Sequence, residues 1–347
     1  MPLPFSERRV LLTGAGGSIG AALAQEILKQ KPSSLFLLDH SEGNLHQLGF
    51  ALSLMHSGNP PKIILGDIRE TAVLEEIFEE ERPEIVLHTA AYKHVPLMES
   101  HVLAAVRNNA LGTHQLAKMA AASDAQSFVM VSTDKAVEPR SVMGATKRVA
   151  ELALLRWASA ECSMRAVRLG NVLGSHGSVV PTFLAQIAAG GPVTVTHPEA
   201  TRYFFSIAES VELIMLAAAL AGESGIYVPE PGQPVRIADL AKQLIREANA
   251  ECHIPIVFTG LRPGDKLHEK FVSVRESVEN AQSGKLKRMS TPAPTHAEFD
   301  AAIHALEASL EDRDVGGALE GLCRLVPDYC PSETARHSRA RQGSGAR

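Results

Sequence analysis

A doubly wound α/β fold around a parallel sheet is what this sequence predicts, on three observations. Short β-branched runs alternate with amphipathic helical stretches, a glycine-rich turn joins the first run to the first helix, and the second run closes on a carboxylate. Strand-helix alternation sets consecutive strands parallel, with helices on both faces. The turn and the carboxylate mark the fold as Rossmann-type, with a smaller C-terminal α/β substrate lobe.

The strands read in order as RRVLLTG, SLFLLD, KIILGD, EIVLHTA, QSFVMVS and MRAVRLGNV, each followed by a helix-like segment. After Gly174 the rhythm loosens, and GGPVTVTHP, GIYVPEPGQP and LRPGDK supply turns among isolated strands and helices. RIADLAKQLIREANA and HAEFDAAIHALEASL are the clearest helices of that region, apolar at helical spacing and charged between. The expected division is a cofactor domain over residues 1–174, a substrate lobe interleaved with it over 175–330, and a disordered Arg-, Ser- and Gly-rich tail over 331–347.

Composition narrows the function classes. The 347 residues can bury a large core, and 45% of them are hydrophobic with one Trp and four Tyr, so that core is aliphatic. A formal charge of -5 and a pI of about 6.3 provide no field for nucleic acid or acidic lipid. No apolar run reaches the ~18 residues of a membrane span, and the longest candidate, VELIMLAAALA, suits a buried helix. No membrane contact by this chain is expected. Cys162, Cys252, Cys323 and Cys330 fit no metal or disulfide pattern, so reduced thiols in a cytoplasmic setting are expected.

In VLLTGAGGSIGAALAQEIL, Gly14, Gly17 and Gly20 lie between a strand and a helix, where a pyrophosphate can approach bare amides at the positive helix end. Asp39 closes SLFLLD nineteen residues after Gly20, where a carboxylate accepts both ribose hydroxyls and repels a 2′-phosphate. NAD is therefore expected ahead of NADP. Asp67, closing KIILGD, is open to two readings, a neighbour of the adenine or a cap on the next helix.

The strand QSFVMVS delivers Ser132, Thr133, Asp134 and Lys135 to the carboxyl edge of the sheet, where open α/β folds bind ligands. Met143 and Lys147 follow in VMGATKRVAELALL, four residues apart and so on one helical face, both expected to look toward a nicotinamide ribose.

TGAGGSIG, Asp39, Asp67, HTAAYKHVPLME, RNNALGT, VSTDKAVEPRSVMGATK, RLGNVLGSHGSVVP, TRYFF and GLRPGDKLHE succeed one another as in the extended short-chain dehydrogenase/reductases. The chain most resembles the CapD-like nucleotide-sugar 4,6-dehydratases that act on UDP-N-acetylglucosamine in bacterial glycan synthesis, and the resemblance runs from about Arg9 to Glu276. Most of that superfamily carries Tyr-x-x-x-Lys. Here Met143 stands at the tyrosine, and a thioether exchanges no proton. In this the chain is similar to a branch of longer dehydratases with Met-x-x-x-Lys.

The resemblance implies a hydro-lyase with tightly bound NAD and a UDP-sugar substrate. It makes Lys135 the carbon-5 base, Asp134 the carbon-6 acid, Thr133 the partner of the carbon-4 oxygen and Lys147 the partner of the nicotinamide ribose. Lys135 is then expected neutral and Asp134 protonated, through burial and positive neighbours. The cofactor positions carried over are Gly14, Gly17, Ser18, Ile19, Gly20, Asp39, Asp67, Ile68, Ala90 and Lys147; the substrate positions are Lys93, Asn171, Val180, Arg202, Arg262 and Glu269. Arg202 and Arg262 are expected on the diphosphate, where a guanidinium bonds two oxygens at once.

Other residues have plainer readings. Glu269 either orients His268 or Arg262 or lies on a helix surface, and Asn109 is expected to hold adjacent main chain. His88 and His94 lack a carboxylate or Cys at supporting spacing, so no metal is expected. Superfamily habit implies a homo-oligomer through paired helices. Two further functions stay in view, a nucleotide-sugar epimerase and a non-catalytic NAD-binding sensor or scaffold. Asp134 and Lys135 argue against simple 4-epimerisation, and the gathering of Lys135, Lys147, Arg202 and Arg262 argues against a scaffold.

Overall fold

A computed structural model describes residues 4–55, 59–175, 177–220, 222–248, 254–280 and 284–342. The six strands read from the sequence form in order: β1 (Arg9–Thr13), β2 (Ser34–Asp39), β3 (Lys62–Leu65), β4 (Ile85–His88), β5 (Ser127–Thr133) and β6 (Ser163–Leu169). Between and after them run α1 (Ser18–Lys29), α2 (Glu42–Met55), α3 (Thr71–Glu76), α4 (Val95–Ser100), α5 (Val102–Ala105), α6 (Thr113–Ala122) and α7 (Val142–Trp157). The chain continues through β7 (Asn171–Val172), α8 (Val179–Ala188), β8 (Val193–Val195), β9 (Thr201–Arg202), β10 (Phe204–Phe205), α9 (Ile207–Ala219) and β11 (Gly225–Pro229). It ends with β12 (Val235–Arg236), α10 (Ile237–Glu247), β13 (Ile256–Phe258), β14 (Ser277–Asn280), β15 (Leu286–Ser290), α11 (His296–Glu311), α12 (Val315–Leu325) and α13 (Glu333–Gln342).

One nine-stranded sheet runs β14-β15-β11-β6-β5-β4-β1-β2-β3, parallel from β11 to β3, with β15 and β14 antiparallel at the far edge. β1 and β4 are buried along nearly their whole length, as strands covered on both faces must be. The strand order reverses between β1 and β4, and the crevice at that switch is where such sheets take their ligands. Helices α1 and α9 pack together on one face, and α6 and α7 form the layer on the other. VELIMLAAALA becomes most of α9, opened by a capping box of Ser206 and Glu209 and buried on the sheet.

Residues beyond 174 divide three ways. β11, β14 and β15 return to the large sheet. Phe183, Ile187, Val193, Val195, Ile237 and Ala241 close a small core of their own, which is the lobe proper. The helix expected from HAEFDAAIHALEASL lies instead against α5 and α7: α11 and α12 share with them a separate apolar cluster of Val142, Met143, Val149, Leu152, Phe299, Ile303, Leu306 and Leu322.

The tail departs from expectation. Its first part is helix α13, anchored by Ala335, fully buried, and by Ser332, whose hydroxyl bonds Glu99 and accepts from Ala335 N at 3.1 Å. Ala335 and the Ser332 hydroxyl are among the contacts that dock a segment whose composition alone reads as disordered. Residues 343–347 of the expected tail, and Cys252, lie outside the described residues; Cys162, Cys323 and Cys330 are free thiols. Among the described residues no helix is long and apolar enough to cross a membrane.

Candidate active site

The glycine turn leaves β1 with Gly14 at φ 70°, and a side chain on Gly20 would put its Cβ 2.1 Å from Gly14 O. Only glycine lets α1 start this close to the turn. Gly17 precedes the helix and supplies no side-chain cap to the amides of its first turn, which begins at Ser18 and Ile19. Asp39 is 8% exposed; Oδ2 accepts from Gly16 N and Oδ1 from Ser41 N, both at 2.9 Å, which fixes the carboxylate against the turn. Ala90 lines the other side of Gly14, and Ile68 is buried near Gly112. This cradle fits a dinucleotide: small residues where a pyrophosphate would lie and one oriented acid beyond.

Asp67 does not cap α3. It accepts from Arg69 N at 2.9 Å and Arg69 Nε at 2.8 Å. Burial pushes its pKa up, but the bonds from Arg69 outweigh burial and hold it below the usual carboxylate range.

At the end of β5 the chain makes one tight turn over Asp134–Ala136. Thr133 Oγ1 accepts from Lys135 N at 3.3 Å and donates to Asp134 Oδ1 at 3.0 Å. Asp134 is fully buried; Oδ1 also accepts from Lys135 Nζ at 2.9 Å, and Oδ2 has no hydrogen-bond partner. Lys135 Nζ donates further to Asn171 Oδ1 at 3.1 Å and lies 4.0 Å from Glu269 Oε1. Burial would drive the Lys135 amine toward neutrality, but the carboxylates of Asp134 and Glu269 win and raise its pKa above the ordinary lysine value. The neutral lysine expected from the sequence is therefore corrected to an ammonium ion-paired with Asp134.

The turn seats on α7. Ser141 Oγ accepts from Gly144 N at 3.0 Å, Glu99 Oε1 accepts from Val142 N at 2.7 Å, and a Cβ on Gly144 would fall 2.3 Å from Lys135 O. Met143 and Lys147 share a face but not a role. Met143, 3% exposed, packs in the apolar cluster beneath α11 and α12, so the thioether replaces a phenol as core rather than as an acid or base. Lys147 is 4% exposed and makes no hydrogen bond or ion pair with a described residue; burial, opposed in part by Glu151, pushes its pKa down to about 8. Its charge helps burial hold His88 near 3, and both ring nitrogens of His88 meet threonine hydroxyls, of Thr13 at 2.7 Å and Thr113 at 2.9 Å.

Two of the expected substrate positions have partners within the fold. Arg202 is 9% exposed and donates to the carbonyls of Thr201, Leu267 and Lys266 at 2.7, 3.1 and 2.8 Å, so it clamps the 266–267 backbone. Glu269 is 6% exposed, and among the described residues its carboxylate pairs with neither His268, which bonds Thr201 Oγ1, nor Arg262, which pairs with Asp265. It faces Lys135, Arg202 and Lys266, whose charges overcome burial and keep it ionised. Arg262 and Lys93 are exposed and Val180 is part-buried; the ring of His94, the residue after Lys93, lies close to Gly177. Asn109 holds main chain as expected, accepting from Tyr92 N at 2.8 Å and donating to Tyr92 O at 2.9 Å. Among the described residues no group of three or more metal-ligating side chains gathers.

Sequence reasoning missed two features. Lys266, within the quoted LRPGDKLHE, donates to Val137 O at 2.6 Å and lies 3.3 Å from Glu269. Glu151, wholly buried, accepts from Ser132 at 2.7 Å and twice from Arg168 at 2.9 Å, and Arg168 reaches on to Glu276. The spacing of these partners along the chain carries no signal that could have joined them.

Over residues 10–291 the chain matches a family model described as polysaccharide biosynthesis protein. The capsular polysaccharide biosynthesis protein CapD of Staphylococcus aureus is 45% identical over 306 residues, covering 87% of this chain and 51% of that protein, so the chain spans about half the length of this relative. The UDP-glucose 4-epimerase of Rickettsia rickettsii is 31% identical over 79% of this chain and 80% of its own. Among solved structures, Pen from Bacillus thuringiensis superposes with a TM-score of 0.75 at 28% identity, over 83% of this chain and 89% of that one. A family match that begins in the strand carrying the glycine turn and ends just past the last strand of the large sheet makes this chain a member of the polysaccharide biosynthesis protein family.

Proposed function

We propose that this chain is a nucleotide-sugar 4,6-dehydratase, a hydro-lyase that uses tightly bound NAD and acts on a UDP-N-acetylhexosamine, with UDP-N-acetylglucosamine the first candidate. The observation that carries the reading is the Asp134–Lys135 pair, 2.9 Å apart at the strand end, with the second oxygen of Asp134 buried and without a partner. Dehydration needs a base for the carbon-5 proton and an acid for the carbon-6 hydroxyl, side by side. An ammonium with a carboxylate holds the same number of protons as an amine with a carboxyl. One proton passed from Lys135 Nζ to Asp134 Oδ1 therefore prepares base and acid together, without exchange with solvent.

The glycine turn, Asp39, Ile68, Ala90 and Lys147 would hold the dinucleotide, and the buried ammonium of Lys147 has no competing partner among the described residues for a ribose hydroxyl. When bound, NAD supplies the acceptor for hydride from sugar carbon 4 and the donor that returns it to carbon 6. Lys135 takes the proton from carbon 5, acidified by the ketone at carbon 4, and later gives it back. Asp134 passes its proton to the departing carbon-6 hydroxyl, which leaves as water. Thr133 Oγ1 bonds the carbon-4 oxygen. Over a turnover, the proton lost from the carbon-4 hydroxyl replaces the one that leaves in water. Lys93, Asn171, Val180 and the exposed guanidinium of Arg262 are the proposed substrate contacts.

The relative among the 4-epimerases supports a second reading, in which carbon 4 is oxidised and reduced again. That reaction leaves the Asp134–Lys135 pair without a task. Incubating the purified protein with UDP-N-acetylglucosamine and following product by mass spectrometry separates the two. Loss of one water without added oxidant, abolished in Lys135→Ala, supports dehydration; a new stereoisomer of unchanged mass supports epimerisation.

A further inference from the structure

We propose that Lys266 and Glu269 form a positioning pair that sets where the proton shared by Asp134 and Lys135 rests. This rests on the dehydratase reading above, because only that reaction needs the proton moved between the two groups before chemistry begins.

The geometry is a row of alternating charges. Lys135 Nζ stands between two carboxylates, Asp134 Oδ1 at 2.9 Å and Glu269 Oε1 at 4.0 Å. Lys266 Nζ follows at 3.3 Å from Glu269 Oε2, and Arg202 Nε lies 4.0 Å from Oε1. Glu269 is buried, so its charge is weakly screened and acts strongly on the ammonium beside it. The segment is held rigidly. Lys266 Nζ bonds Val137 O at 2.6 Å, Val137 N in turn bonds Asp134 O at 3.2 Å, and Arg202 grips the carbonyls of Lys266 and Leu267. Movement of this strap would move Glu269 relative to the catalytic turn.

The charged groups facing Lys135 are thus Asp134 from its own turn, Glu269 and Lys266 from the strap, and Arg202 from β9, with the neutral Asn171 completing its shell. The direction of each influence follows from its sign. Glu269 favours the ammonium and opposes transfer of its proton to Asp134. Lys266 weakens Glu269 and so promotes the transfer. The carboxylate also holds the pair's proton against loss at high pH. The two residues act on one proton in opposite directions, which a purely structural role would not do.

The test compares Glu269→Gln, Lys266→Met and Lys266→Arg with the wild type, each first checked for bound NAD and melting temperature. Two readouts are followed: the pH dependence of kcat, and the titration of the Lys135 ε-carbon by NMR in NAD-loaded protein without substrate. In Glu269→Gln the Lys135 titration and the basic limb of kcat should move to lower pH by about one unit or more, the scale of removing a neighbouring charge within ~4–6 Å. In Lys266→Met both should move to higher pH, and Lys266→Arg should stay near wild type. Shifts in the same direction, or a uniform loss of activity with the Lys135 titration unmoved, overturn the proposal. The NMR titration needs no turnover, so a wild type that releases no water defeats the dehydratase reading while the titration still decides the role of the pair.

Discussion

A buried lysine without a partner lowers the stability of the fold that carries it, and Lys147 is such a residue. Burial lowers its pKa from 10.5 to about 8. Below pH 8 the ammonium is present in both folded and unfolded chains, and its full desolvation cost opposes folding. Between about 8 and 10.5 the unfolded chain binds the proton more tightly, so stability rises with pH across that window. Lys147→Met, which removes the charge and keeps the length, should therefore stabilise dinucleotide-free protein at pH 7 by at most about 3 kcal/mol. The gain should fade as pH approaches 10.5, while dehydration is lost. Thermal melts of both proteins across pH 7 to 10 check this, and a variant that melts lower at pH 7 refutes it. Glu151, one turn further along α7, is the contrast: equally buried, it is held ionised by Arg168, Arg148 and Ser132. The fold satisfies the charge of Glu151 and leaves that of Lys147 without an ion pair among the described residues, as the proposed bond to a ribose hydroxyl requires.

At the level of elements, the seating of the Asp134–Ala136 turn on α7 separates two effects that usually agree. Helix propensity says that Gly144→Ala, inside α7, should stabilise by roughly 0.5–1 kcal/mol. Packing says the reverse, because the new Cβ would fall 2.3 Å from Lys135 O, and backbone cannot yield as a flexible side chain can. Overpacking of this kind costs about 1–3 kcal/mol, so the net change should be destabilising and should displace Lys135. A lower urea midpoint together with reduced kcat checks it; a higher midpoint with full activity means the turn rides free of the helix. The same elements mark how much the sequence disclosed. All six early strands, the glycine turn, the Asp39 carboxylate and the Thr-Asp-Lys strand end follow from periodicity and local turn chemistry, and they stand where expected. Arg202, Glu269 and the charge state of Lys135 do not, because each depends on a partner that only the tertiary fold supplies. The bonds from Arg202 to the carbonyls 64 and 65 residues away leave no trace in the local sequence.

For the whole molecule, the question is whether α11, α12 and α13 belong to the same folded unit as the large sheet, since the family match ends at residue 291, before any of them begins. The packing says that they do. Phe299, Ile303, Leu306, Leu319 and Leu322 cover Val142, Met143, Val149 and Leu152 of α7, and Arg156 bonds Asp300 through two contacts at 3.0 and 2.8 Å. Each large apolar side chain returned to water costs about 1.5–3 kcal/mol, so stripping this face would consume most or all of a net stability of 5–15 kcal/mol. A chain ending at Pro294 should therefore be insoluble or lack fixed tertiary structure. A chain ending at Cys330 loses α13, with the Ser332 bond to Glu99 and the buried Ala335; it should fold, melt lower by the equivalent of about 1–3 kcal/mol, and turn over more slowly, because Glu99 also holds the first amide of α7. Near-ultraviolet circular dichroism, sedimentation and turnover of the two truncations decide the matter. If the shorter chain stays folded and dehydrates at the wild-type rate, the three helices are an appendage, and the core role given to Met143 falls with them.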